Sequence, residues 1–183
     1  TMPVGYKNMA GPNPRSNNVG GLTGRIFVAP LDYFTTLQKV LDLSDLAATS
    51  ETDFVTITAD HVFAASKGFH KIYCTRDMGK VTMKAVGERD GRGYKIEGEI
   101  MHPGFSPEIM AWGTMGKNDR MIVLAELADG QLLQAGSEQF PCEMKFDFDA
   151  AGNESGLRGT KITFSAFSAQ PQIYQGEVVI STT

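Results

Sequence analysis

From Asp53 onward, apolar and polar residues alternate with a period of two almost throughout, the spacing that sets one face of a strand on a core and the other in water. Lys80-Val81-Thr82-Met83-Lys84-Ala85-Val86 is the cleanest case: Val81, Met83 and Ala85 share one face, and two lysines and a threonine share the other. Arg89-Asp90-Gly91-Arg92-Gly93 is a tight-turn signal and Tyr94-Lys95-Ile96-Glu97-Gly98-Glu99-Ile100 alternates again, so 79–101 is expected to form a hairpin. Phe54-Val55-Thr56-Ile57-Thr58 and Phe69-His70-Lys71-Ile72-Tyr73-Cys74 carry the β-branched and aromatic residues that fit a pleated surface. Further strands are expected at 121–126, at 131–135 beyond the Asp129-Gly130 turn, and at 140–149, 161–167 and 173–181.

The first third of the chain is patterned differently. Residues 1–24 combine Gly, Pro, Asn and Ser with few bulky apolar groups and are expected to form an extended arm, leaving 25–183 as a single domain. Ile26-Phe27-Val28-Ala29, stopped by Pro30, predicts a buried first strand. Between 33 and 46, Phe34, Leu37, Val40 and Leu41 fall at helical spacing, but Thr35 and Thr36 and the short length leave helix against strand open. The acidic and small residues of 42–53 predict a loop of the length that usually serves function or contact. One helix is expected, where Ser106-Pro107-Glu108 supplies a capping hydroxyl, an early proline and a carboxylate near the positive end of the helix dipole. Ile109, Met110, Trp112 and Met115 follow, and Gly116 is the expected stop. Strands with turns every dozen or so residues and one added helix argue for a mainly β sandwich or barrel.

Composition sharpens this picture. A chain of 183 residues with 42% hydrophobic content suits one packed domain. Seventeen Lys and Arg against 21 Asp and Glu give a formal charge of −4, which disfavours electrostatic capture of nucleic acid or an acidic membrane. No run of about 18 apolar residues is present and residues 1–7 lack the apolar stretch of a signal peptide, so a soluble protein without a membrane segment is expected. The charge is unevenly spread. Residues 67–95 hold eight Lys and Arg against three acids, whereas 121–154 hold seven acids against Lys145 alone. A solvated surface with chance clustering is the preferred reading of this polarity; the alternative is a head-to-tail contact between copies, which closes into rings or continues as filaments.

Chemistry-bearing patterns are sparse. His61, His70 and His102 each lack a second ligand at metal spacing, and for His102 a turn-capping or solvent-facing role is preferred. Cys74 and Cys142 can make at most one disulfide and have no zinc-type spacing. No Gly-x-Ser-x-Gly elbow occurs, and Gly20-Gly21-Leu22-Thr23-Gly24 precedes a strand instead of the helix that phosphate binding needs. Glu97 and Glu99 share a strand face like an acid/base pair, as do Asp147 and Asp149, but a solvated face explains both. The 147–154 stretch resembles a calcium loop without flanking helices, and a solvated hairpin loop is preferred. No catalytic residue, cofactor or metal is therefore assigned.

Gly20-Gly21-Leu22-Thr23-Gly24-Arg25-Ile26-Phe27-Val28-Ala29 followed by Asp32-Tyr33 resembles the opening of phage tail tube proteins (major tail proteins), especially those of long-tailed phages of Bacteroidetes hosts. Gly68-Phe69-His70-Lys71-Ile72-Tyr73, Asp77-Met78-Gly79-Lys80 and Met101-His102-Pro103-Gly104 are similar to their middle hairpins. Val123-Leu124-Ala125-Glu126-Leu127-Ala128-Asp129-Gly130, Gly136-Ser137-Glu138 and Gly159-Thr160-Lys161-Ile162-Thr163-Phe164 fit too, so the resemblance spans most of 20–180. It implies a β-sandwich or split barrel with one flanking helix, without enzymatic activity, assembled as hexameric rings stacked into a tube. Strand edges of neighbouring subunits would join into a continuous inner barrel. DNA would pass through without specific binding, other tail proteins would be partners, and the protein would reside in the virion tail after assembly in the host cytoplasm. Lys95, Glu97 and Glu99 would face the lumen, and the net negative charge would keep phosphates from sticking. Asp42, Asp45, Glu51 and Asp53 of the acidic loop, with Arg89 and Arg92 of the hairpin turn, would serve self-assembly. The alternatives are a tube, neck or baseplate component of a tail-derived injection system and, further off, a β-sandwich module binding a small ligand or carbohydrate.

Overall fold

In the computed structural model, residues 4–15, 19–104, 106–152, 156 and 158–182 are described. Asn153 and Glu154, the end of the calcium-like stretch, lie outside them, as do 1–3 and 16–18 of the expected arm. Two sheets face each other. The larger contains β1 (Leu22–Pro30), β3 (Thr56–Ile57), β5 (His70–Tyr73), β8 (Met121–Leu127), β9 (Leu132–Ala135) and β12 (Ile173–Tyr174), in the spatial order β3-β12-β9-β8-β1-β5. The smaller is an antiparallel sheet of β6 (Lys80–Val86), β7 (Gly93–Pro103), β10 (Glu143–Asp149) and β11 (Gly159–Ser168), in the order β10-β11-β7-β6. A two-stranded piece pairs β2 (Phe34–Thr36) with β4 (Val62–Phe63). The architecture is mainly β and sandwich-like, with one helix, α1 (Pro107–Gly116).

The unbroken apolar runs have a simple cause: the six-stranded sheet is covered on both faces. Ile26 and Val28 of β1, with Met121, Val123 and Ala125 of β8, point into the main core, where they meet Ile96, Ile100, Met144, Ile162, Phe164 and Ala166 of the opposing sheet. The intervening Phe27, Ala29, Ile122 and Leu124 point the other way, into a second core with Val40, Ile57, Phe69 and Tyr174, covered by Leu31, Phe34, Leu37 and Phe63. A strand buried on both sides loses its alternation. The four-stranded sheet is covered on one face only, and there the alternation survives: Val81 and Met83 pack on the main core while Lys80 and Lys84 stay exposed.

Several sequence expectations are corrected at element ends. The undecided 33–46 segment holds a single 3-10 turn at Leu31–Tyr33 and the short β2, then runs irregularly. The strand expected at 54–58 shrinks to Thr56–Ile57: Phe54 instead closes a 3-10 turn, Glu51–Phe54, which the reciprocal capping box of Ser50 and Asp53 starts. The 140–149 strand starts only at Glu143, since Pro141 has no N–H to donate and Ser137 turns back to the Phe140 carbonyl. The 173–181 strand shrinks to β12 and one bridge at Ile180, because the Glu177 N–H is taken by the Asp60 carboxylate at 2.7 Å. At α1, Ser106 is the N-cap residue, but its hydroxyl serves the Glu108 carboxylate and caps no backbone N–H. Gly116 ends the helix, and with Gly113 it lets α1 settle closely: a Cβ at Gly113 would meet Phe146 at 3.1 Å and one at Gly116 would meet Met121 at 3.2 Å. Ile109 and Trp112 enter the main core, so α1 closes one side of the sandwich.

One glycine is held by packing. Gly98 lies opposite Phe164 in the β7–β11 register, and the Phe164 ring lies across it so closely that a Cβ would stand 2.0 Å from Cζ. The glycine leaves room for a large ring that is only 2% exposed. Gly98→Ala is expected to destabilise the fold by about 1–3 kcal/mol, lowering Tm by a few to about ten degrees. Gly91→Ala, at a position with open space, is expected to leave Tm unchanged; equal melting of both variants in a thermal scan would refute the packing account.

Candidate assembly surface

The outer face of the four-stranded sheet is built by register. Reading across β6-β7-β11-β10, Thr82, Glu97, Ser165 and Glu143 form one row, and Lys80, Glu99, Thr163 and Lys145 the next. Lys84 and Lys95 start the row on one side, and Lys161 lies opposite Asp147 on the other. The two full rows, with Lys84 and Lys95, line a broad, shallow trough of about 570 Å³. Lys95, Glu97 and Glu99 therefore lie together on this solvated face. Glu97 accepts from Lys95 at 2.6 Å and Glu99 from Lys161 at 3.0 Å. The hydrogen bond from Lys95, and then its charge, holds the Glu97 carboxyl below the ordinary carboxylate range. Two lysine-bonded carboxylates are poor candidates for an acid/base pair.

The interior strands of the sheet thus pair their charges, and the margins do not. Among the described residues, Lys80 and Lys84 on β6 make no salt bridge, and neither do Glu143, Lys145 and Asp147 on β10. Both strands are marginal: β6 pairs with β7 and β10 with β11, and at the start of β10 the preceding Cys142 exchanges both backbone bonds with Met121 of β8. The basic block at 67–95 and the acidic block at 121–154 therefore reach opposite edges of one sheet, as Lys80 and Lys84 on β6 and as Glu143, Asp147 and Asp149 on β10. As a whole the face is balanced: Lys80, Lys84, Lys95, Lys145 and Lys161 against Glu97, Glu99, Glu143, Asp147 and Asp149. The face is therefore neutral overall, and the net charge of −4 resides elsewhere.

No protein-family model, curated protein or solved structure matches this chain.

The other candidates sit apart from the trough. Asp53 is engaged within its own loop: one carboxylate oxygen accepts the Thr49 N–H at 2.8 Å and the Ser50 N–H at 3.0 Å, which lowers its pKa. Glu51 bonds Lys7 of the arm at 2.7 Å, and Asp45 accepts the Ala47 N–H at 2.9 Å. Asp42 contributes its carbonyl to the Asp45 N–H. These contacts shape the 42–53 loop from inside. Arg89 and Arg92 are exposed in the β6–β7 turn, where Gly87 and Asp90 take positive φ. Cys74 and Cys142 are free thiols in the main core, and burial pushes the Cys142 thiol up to about 12. His102 Nδ1 meets the Tyr73 carbonyl at 2.9 Å and ties β7 to β5. Among the described residues no cluster of three or more His, Cys, Asp or Glu could hold a metal ion, and no helix is long and apolar enough to cross a membrane.

A buried polar cluster escaped the sequence reading. His61, only 3% exposed, stacks on Tyr174 at 4.3 Å. Its Nδ1 accepts the Gln38 N–H at 3.0 Å, so the ring proton sits on Nε2, which donates to Gln134 Oε1 at 2.9 Å. Tyr174 accepts the His61 N–H and donates to the Glu177 carbonyl at 2.8 Å. The cluster holds the 37–53 segment to the second core with the help of Gln170, which donates to the carbonyls of Leu41 and Phe54. Only spatial neighbours 23 to 113 residues away reveal it.

Burial pushes the His61 pKa down, against smaller opposing effects of Gln134 and Asp60, and burial lowers His70 as well. The unfolded chain takes up protons near pH 6.5 that the folded chain refuses, so stability present above that value is lost as pH falls below it. Tm is expected to drop between pH 7 and about 5, ahead of the carboxylate range. His61→Gln should lower Tm at neutral pH and shallow that slope; an unchanged slope in the variant would exclude His61 as its source.

Proposed function

We propose that this protein is a structural subunit of a phage tail tube, assembling into rings that stack around a channel for DNA. The reading rests on one observation above all: a four-stranded antiparallel sheet exposes one charged face and ends on both sides in a strand paired only inward. A strand margin offers a row of N–H and C=O groups to another strand, and an edge left long and straight is a template for sheet continuation. Continuing this sheet from copy to copy would bring Lys95, Glu97 and Glu99 into the wall of the resulting barrel. Such a wall suits a conduit for a different reason than bulk acidity. Its interior lysines are neutralised by neighbouring carboxylates, so few cations remain to displace counterions from a passing polyphosphate.

Negative-stain microscopy of the concentrated protein is expected to show rings or tubes with a central channel. A protein that stays monomeric by light scattering at every concentration and shows no rings would overturn the reading. Because the edges differ in charge, assembly should weaken as salt rises from about 50 mM to about 300 mM, where screening shortens to a few ångströms. Sedimentation that is indifferent to salt would remove electrostatics from the account of assembly.

A further inference from the structure

We infer that the β6 margin of one copy joins the β10 margin of the next in a single register: Lys84 opposite Glu143, Thr82 opposite Lys145 and Lys80 opposite Asp147. The inference rests on the tube reading and adds to it the two edges, their direction and their alignment.

Direction follows from strand number. In the order β10-β11-β7-β6 each neighbour is antiparallel, so β10 and β6 run oppositely. A copy related by rotation keeps its strand directions, and its β10 therefore meets β6 antiparallel. Antiparallel rows alternate between hydrogen-bonded and non-hydrogen-bonded pairs. Across four strands the two outermost positions of a row end in the same phase, so solvated-face residues on both margins can face each other with matched backbone groups. A sheet with an odd number of strands would not tile in this way.

Charge then chooses the partner. Two β6 edges meeting about a two-fold would set lysines against lysines, and an antiparallel pair of β10 edges centred on Lys145 would set lysine against lysine and Glu143 against Asp147. Like charges directly opposite are destabilising, so a β6 edge rejects a second β6 edge. A β10 pair centred on Met144 would set Glu143 against Lys145, but it leaves every β6 edge unmatched and so cannot continue from copy to copy. The basic edge accepts the acidic one.

Charge also chooses the register. Slips of one residue put polar side chains against the core face and are forbidden. Slips of two residues remain. One such slip sets Lys80 against Lys145, and the opposite slip sets Lys84 against Lys145. The stated alignment alone gives both lysines a carboxylate and leaves Lys145 facing an uncharged threonine. It joins charges that make no salt bridge among the described residues, while Lys95, Glu97, Glu99 and Lys161 are already paired.

The test is charge exchange in the full chain. Lys84→Glu and Glu143→Lys are each expected to raise the protomer concentration needed for ring formation by about tenfold per junction, with the double variant returning toward wild type. Both positions are exposed, and an unchanged Tm shows that the fold is kept. Independently, Thr82→Cys with Lys145→Cys is expected to form an inter-subunit disulfide on oxidation, whereas Thr82→Cys with Glu143→Cys or Asp147→Cys is not. Rings in the wild type without double-variant recovery, or cross-linking at a neighbouring pair, overturn the register and leave the tube reading standing. A wild type that forms no rings overturns both.

Discussion

A strand paired on one side leaves half of its backbone donors and acceptors to water, and this constraint divides the molecule into two functional halves. In the six-stranded sheet, the strands at the centre are bonded on both margins and buried on both faces. That sheet is the scaffold. Its long apolar strands could not be exposed on either face without presenting a large hydrophobic patch. The four-stranded sheet is finished on its inner face by the main core and at the start of β10 by the Met121–Cys142 bridge, while β6 and the rest of the β10 margin pair with no other strand. Seven-residue margins at β6 and β10 are longer than proteins usually leave bare, and neither is broken by a proline.

Charged residues on an exposed edge are one device by which a protein blocks unwanted sheet growth. Lys80 and Lys84 serve that purpose against a second β6, but the same lysines invite an edge of opposite sign. Blocking and selection are thus one device, and the sign of the partner decides which operates. A heterologous contact of this kind has no internal two-fold and must either close or continue. Rings and tubes are the two outcomes of a single contact repeated.

Legibility in the sequence followed the range of the interactions. The β6–β7 hairpin, the apolar run of β1 and the position of α1 depend on neighbours within a few residues, and alternation, turn residues and Pro107 announce them. The placing of Lys95, Glu97 and Glu99 on one face needed only a period of two. What the chain order hid was long-range. That the basic and acidic blocks end on opposite margins of the same sheet depends on β11 inserting between β10 and β7, a pairing that links Ser165 to Glu97 across the sequence. The second core was hidden for the same reason. Val40 lies in the segment whose spacing left helix against strand open, beside a polar loop, and His61 is fixed by Gln38, Gln134 and Tyr174. The short β12 is set by an antiparallel pairing with β9, and β3 by a parallel pairing with β12 more than a hundred residues away, which no local propensity encodes.

The balanced face changes what a channel wall would need in order to be slippery. Counterion release drives a polyanion onto a surface in proportion to the cations left free to replace its counterions. Lys95 and Lys161 are held by carboxylates on their own or an adjacent strand, and in the joined register Lys84 and Lys80 would be held by Glu143 and Asp147 of the next copy. Of these five lysines, Lys145 alone would then have neither a carboxylate bonded to it nor one directly opposite. An isolated subunit therefore presents more unpaired lysine to a phosphate than a closed ring does. Assembly itself would complete the neutralisation of the wall, so on the proposed reading the contact that would give a tube its continuity would also remove its affinity for a polyanion passing through it.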